Sequence, residues 1–73
     1  MSAADFLAFA AGVFGVPAAT LSLATAYESI PEWDSVMHLR LVMETEAAFG
    51  VDIPIDAVPE MKTLADFFAR VKG

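Results

Sequence analysis

Cysteine is absent from this chain of 73 residues, and basic residues are scarce: four Lys and Arg stand against ten Asp and Glu, a formal charge of −6. The first absence removes disulfides and thiolate metal sites as staples, and it is compatible with a reducing compartment. The second argues against sequence-independent binding to nucleic acid or anionic lipid, which needs clustered Lys and Arg. Basic protein surfaces remain as the complementary partners. Histidine occurs once, so scattered carboxylates have no metal-ligand spacing to complete, and Asp52 and Asp56 lack the glycine and glutamate of a calcium loop. The apolar stretch from Ser2 to Phe14 has no basic n-region, contains Asp5 and is too short to span a bilayer. The composition therefore predicts a soluble, cytoplasmic, monomeric protein with neither a nucleic-acid partner nor a membrane insertion.

Hydrophobic residues make up 58% of the chain, and fourteen of them are alanine. That favours close helix packing over a strand-built core, in one domain spanning 1–73 and near the lower size limit for a core that folds unaided. Ser2 to Phe14 reads as an amphipathic helix, with Ser2 and Asp5 in a capping-box arrangement and Phe6, Phe9, Ala10 and Val13 at helical spacing. Gly15 and Val16-Pro17 stop it. The connection from Val16 to Asp34 is long for so small a domain. Leu21, Leu23, Tyr27, Ile30 and Trp33 punctuate it, so it is expected to pack over the helices.

Ser35 to Phe49 reads as the second helix, closed by Gly50. At about 100° per residue, Leu39, Val42 and Phe49 turn inward, Leu41 and Met43 flank them, and Met37, Arg40 and Glu44 share the outer face. Pro54 and Pro59 leave room for about one helical turn between them. Thr63 caps the last helix, with Asp66 three residues on and Leu64, Phe67, Phe68 and Val71 along its apolar side. The expected fold is all-α: a small antiparallel bundle of three main helices plus one short helix.

Asp34-Ser35-Val36 opens the second helix. The ordinary role of a serine there is to cap the helix. A helix start also stabilises an anion carried on the hydroxyl, because unpaired N–H groups and the positive dipole end point at it. Asp34, Ser35 and His38 contain the residue types of a hydrolase triad, but their spacing argues against one. A triad needs the imidazole bridged between nucleophile and carboxylate, beside an oxyanion hole, and no glycine-rich elbow is present. His38 reads instead as a partly buried helix residue near the long loop.

From Trp33 to about Phe68 the sequence resembles the acyl carrier protein family. The residues that carry the resemblance are Asp34-Ser35-Val36, Leu39-x-Leu41-Val42-Met43, Glu46-x-x-Phe49-Gly50-Val51-x-Ile53-Pro54 and Met61-x-Thr63-Leu64, in register without a gap. Trp33-Asp34-Ser35 with His38 is similar to a variant found in small free-standing carriers. For the N-terminal third the likeness is only that of a helix followed by a long loop. The resemblance implies a non-enzymatic carrier of acyl intermediates, held as thioesters on a 4′-phosphopantetheine arm attached to Ser35. It implies as partners a phosphopantetheinyl transferase, which uses coenzyme A as donor, and acyl-activating or acyl-transferring enzymes of fatty acid or polyketide type. These are expected to dock on Asp34, Val36, Met37, Arg40 and Glu44. A short acyl chain is expected to fold back between the second and last helices, near Leu39, Val42, Met43, Met61, Leu64 and Phe68.

Departures from the family pattern are local. Val36 replaces the usual Leu, Met37 and Arg40 stand where acids are frequent, and Thr45 occupies a place that is often Leu. The Thr45 hydroxyl is placed to bond back to the carbonyl four residues earlier. Two rival readings remain open: a carrier of the aminoacyl or D-alanyl type, and an unmodified helical interaction module in which Ser35 is only a cap.

Overall fold

Caps written into the sequence set the helix boundaries. The computed structural model describes residues 1–72, so the expected domain end at Gly73 lies outside the described residues. Ser2 caps helix α1 (Ala3–Phe14), its Oγ accepting the Asp5 N–H at 3.1 Å. Gly15 ends it with φ 75°, a left-handed conformation that glycine adopts without a Cβ penalty. Helix α2 (Ser35–Phe49) ends the same way at Gly50, φ 64°. Helix α3 (Leu64–Lys72) starts from a reciprocal arrangement. The Thr63 Oγ1 accepts the Asp66 N–H at 3.4 Å, and an Asp66 carboxylate oxygen accepts the N–H groups of Thr63 at 3.0 Å and Lys62 at 2.9 Å.

Among the described residues the remaining helical structure is two single-turn 3-10 helices, Ala18–Thr20 and Val58–Glu60. The expected short helix is therefore a 3-10 turn, and it contains Pro59 rather than lying between the two prolines. Proline tolerates that place because the first N–H groups of a helix have no internal partner. The all-α class holds, and among the described residues the one pairing of β type is an isolated Ala26–Thr63 bridge. Among the described residues no helix is long and apolar enough to cross a membrane.

Each α-helix touches the other two. Their shared core contains Phe6, Phe14, Trp33, Leu41, Leu64 and Phe67, and fully burying a large apolar side chain of this kind contributes about 1.5–3 kcal/mol. On α1 the inward face is Phe6, Ala10, Ala11 and Phe14, while Phe9 and Val13 are half-buried at its margin. The long connection is packed, as its apolar punctuation predicts: Leu21 and Trp33 are buried, and Leu23, Tyr27 and Ile30 lie against the core. Backbone bonds stitch it to the start of α3, from Tyr27 N–H to Lys62 O at 2.7 Å, Leu64 N–H to Thr25 O at 3.1 Å and Ala65 N–H to Leu23 O at 2.9 Å.

Helix α2 is rotated from the expected orientation. Its buried residues are His38, Leu41, Val42 and Thr45, with Phe49 half-buried on the same side, whereas Leu39 is 55% exposed. His38 draws the seam to itself through two hydrogen bonds, and Leu39, about 100° further round, is carried outward. Met37 accordingly moves from the expected outer face to a half-buried place against the core. Thr45 is fully enclosed, and its hydroxyl makes no hydrogen bond, so the expected bond to the Leu41 carbonyl is not formed.

Two predictions test these placements. Thr45→Val keeps the shape and removes an orphaned hydroxyl, so stability to urea should rise by about 1–3 kcal/mol; an unchanged or lower midpoint would show that the hydroxyl has a partner in solution. For Asp66, burial works to raise the carboxyl, but hydrogen bonds from the Lys62 N–H, the Thr63 N–H and the Thr63 side chain outweigh it and hold the group below its ordinary value. A depressed folded-state value means stability that is present above the unfolded value and lost as pH falls through the folded one. Asp66→Asn should therefore be less stable than wild type at neutral pH, the two converging in acid. A difference independent of pH would mean that the carboxylate charge plays no part.

Candidate functional site

The start of α2 is shaped by the turn before it. Glu28 adopts φ 66°, uncommon for a residue with a Cβ, and its N–H bonds the Trp33 carbonyl at 3.1 Å. A second turn bond, from Trp33 N–H to Ile30 O at 3.1 Å, closes the segment around Pro31. Trp33 is thereby driven fully into the core, and the next residue, Asp34, is left extended at the surface.

Asp34, not Ser35, is the N-cap. Its Oδ1 accepts the Met37 N–H at 2.8 Å and its carbonyl accepts the His38 N–H at 2.8 Å. Ser35 becomes the first helical residue, exposed, with a hydroxyl that makes no hydrogen bond. The cap reading of Ser35 is thus corrected: a charged acceptor one residue earlier already does that work, and it suits the positive end of the helix better than a hydroxyl.

Ser35 stands apart among the described Ser and Thr residues. The side chains of Ser2, Thr20, Ser22, Thr25, Ser29 and Thr63 are all engaged in local hydrogen bonds. Thr45 is sealed in the core. Ser35 alone offers a hydroxyl that is both exposed and uncommitted.

Beside that hydroxyl opens a cavity of about 630 Å³. Ser35, His38 and Leu39 form one wall, Ile55, Val58, Pro59, Met61 and Lys62 the other, and Ala26 and Tyr27 close the end. The walls are almost wholly apolar, and the volume is in the range of sites that hold small molecules or chains. It lies between α2 and the segment leading to α3, not between α2 and α3. Of the residues expected near a folded-back chain, Leu39 and Met61 line it; Val42 and Leu64 are closed into the core, Met43 is 62% exposed and Phe68 is half-buried.

His38 lies in the inner wall, 8% exposed. The Trp33 Nε1–H donates to its Nδ1 at 3.0 Å, and an indole nitrogen can only donate, so Nδ1 carries no proton. The ring hydrogen is on Nε2, which donates to the Val58 carbonyl at 2.9 Å. Tyr27, Trp33 and Phe67 surround the ring with centroids at 4.9, 5.9 and 5.6 Å. Both ring nitrogens are committed, and neither is free for Ser35, in agreement with the spacing argument against a triad. Among the described residues no group of His, Asp and Glu gathers as a metal site.

Of the expected docking residues, Met37 alone leaves the outer face of α2. Arg40 and Glu44 pair with each other across one helical turn at 3.6 Å, and Met37 packs inward. Val36 is 76% exposed one turn before Arg40, on the same outer side as Leu39 and Met43, and Ile55 of the next loop is 88% exposed. Sequence periodicity missed this apolar face because it assigned Leu39 to the core. The five-residue spacing of the single Trp and the single His was the available signal that His38 anchors the seam. No protein-family model, no curated protein and no solved structure matches the chain.

The cap assignment is open to direct test. Asp34→Ala should cost about 0.5–2 kcal/mol of stability, whereas Ser35→Ala should stay within about 0.5 kcal/mol, as exposed substitutions usually do. Equal losses in urea denaturation would return the capping role to Ser35.

Proposed function

We propose that this chain is a carrier that holds acyl intermediates on a 4′-phosphopantetheine arm attached to Ser35. The observation that carries the reading is the coincidence of the exposed, uncommitted Ser35 hydroxyl with the mouth of an apolar cavity. The fit is chemical as well as spatial. A phosphodiester on Ser35 would meet the first N–H groups of α2 and their positive dipole end, and no hydrogen bond of the fold would be lost in making it.

Attachment would be a phosphoryl-type transfer performed by a separate transferase. The Ser35 oxygen forms a bond to the phosphorus that bears the pantetheine, the bond to the nucleotide phosphate breaks, adenosine 3′,5′-bisphosphate leaves, and the hydroxyl proton passes to a base of that enzyme. The arm, once bound, supplies a thiol for thioester chemistry, which a chain without cysteine does not have. What this chain contributes is a rigid helix end as attachment point, an acidic body, and an apolar cavity to shelter a short aliphatic cargo. Partner enzymes would approach over Asp34, Val36, Leu39, Arg40 and Met43, which share the exposed side of the helix that begins at Ser35.

The acyl or polyketide type of cargo is preferred over an aminoacyl one because the cavity walls are apolar and hold no carboxylate to receive an ammonium group. The cap role that the unmodified interaction module gave to Ser35 falls to Asp34.

Incubation of the protein with coenzyme A and a promiscuous phosphopantetheinyl transferase should add one arm by intact mass to wild type and none to Ser35→Ala. An unmodified wild type, or a modified Ala variant, would overturn the proposal.

A further inference from the structure

The outer wall of the cavity, from Ile55 to Glu60, is bonded mainly within itself, with Ala57 N–H to Pro54 O and Glu60 N–H to Ala57 O both at 3.0 Å. Pro59 contributes no N–H, and the Val58 N–H to Ile55 O and Met61 N–H to Val58 O bonds are both long, at 3.3 Å. Ile55 is 88% exposed and does not pin the wall, which is held by the buried Ala57 and Met61 and by Val58 against the core. Opposite stands α2, a continuous helix. Among the described residues, the one hydrogen bond that joins α2 to the Val58–Glu60 turn is that from His38 Nε2–H to the Val58 carbonyl. Both residues line the cavity that this bond spans. Its donor is fixed in place, because the Trp33 N–H on the far side of the ring admits only the tautomer with its hydrogen on Nε2.

We propose that His38 is the positioning residue that sets the width of this cavity. Its neutral ring latches the Val58–Glu60 turn to α2, so slender aliphatic chains enter with the latch closed, and wider ligands seat only by breaking it. The identity of the physiological chain rests on the carrier reading; the latch itself is a property of the unmodified protein. A wide ligand forfeits one neutral hydrogen bond. Discrimination against it should be about two- to tenfold, the worth of one such bond.

The test uses unmodified, ¹⁵N-labelled protein with 1-octanol as the slender probe and 1-adamantanol as the wide one. Octanol should bind saturably, move the amide signals of Leu39, Val58 and Met61, and leave the His38 ring nitrogens in the Nε2–H pattern. Adamantanol should bind about two- to tenfold more weakly and shift the Nε2 signal as it seats. His38→Gln keeps an N–H donor and a carbonyl acceptor and should retain the preference; His38→Leu should abolish it. Equal affinity of wild type for the two alcohols, an undiminished preference in folded His38→Leu, or no saturable binding of octanol would each overturn the proposal. Should His38→Leu fail to fold, the wild-type ring decides alone: an unmoved Nε2 signal with adamantanol bound sinks the latch. Failure of Ser35 to accept the arm would remove the carrier reading and leave these alcohol titrations untouched, so the two proposals fail separately.

Discussion

One neutral imidazole holds three stretches of the chain in register. The Trp33 indole donates to His38 Nδ1 from the end of the long connection, and His38 Nε2 donates to the Val58 carbonyl in the segment that leads to α3. Each of these polar groups would cost about 1–3 kcal/mol if buried without a partner. The ring therefore cannot rotate, change tautomer or leave without stranding at least one of them. That constraint fixes the rotation of α2, seats Trp33 against Phe14 and Phe67, and places the Val58–Glu60 turn across from the helix start.

The rotation has a further consequence. With His38 facing inward, Val36, Leu39 and Met43 must face out, and apolar surface accumulates on the side of α2 that carries Ser35. Scattered exposed apolar residues need no explanation, but a line of them on one helix, with Ile55 adjoining, marks a surface that gains by being covered. The acidic balance of the chain surrounds it with a field that favours basic partners.

Much of the architecture was legible residue by residue, and the legible parts are those governed by short-range chemistry. Gly15 and Gly50 stop helices because a left-handed residue is needed there, and Ser2 and Thr63 start them because a hydroxyl can take an orphan N–H. Ser35 was harder, since two adjacent good caps, Asp34 and Ser35, compete for one position. The choice depends on how deeply Trp33 is pulled inward, which only the assembled core decides. Leu39 was misassigned for a similar reason: hydrophobicity ranks Leu above His for burial, while the hydrogen bonds that bury His38 come from residues five before and twenty after it. The cavity was legible only through Leu39 and Met61, because its outer wall, Ile55 to Glu60, has no periodicity and is broken by Pro59. Thr45 shows the limit of local reasoning in the opposite sense, as the bond that helical spacing offers its hydroxyl is not made.

The freedom of the Ser35 hydroxyl follows from the same economy of caps. Covalent loading of Ser2 or Thr63 would displace a side chain that holds a helix start, and loading of Ser22 or Ser29 would break the turns of the long connection. At Ser35 nothing is displaced, because Asp34 already satisfies the Met37 N–H. A helix start with its cap one residue upstream can receive and lose a bulky anionic group without a change in fold. That is the physical requirement on any site that must be modified after folding and then visited by several enzymes in turn, and it ties the carrier reading to geometry rather than to the Asp-Ser pair alone.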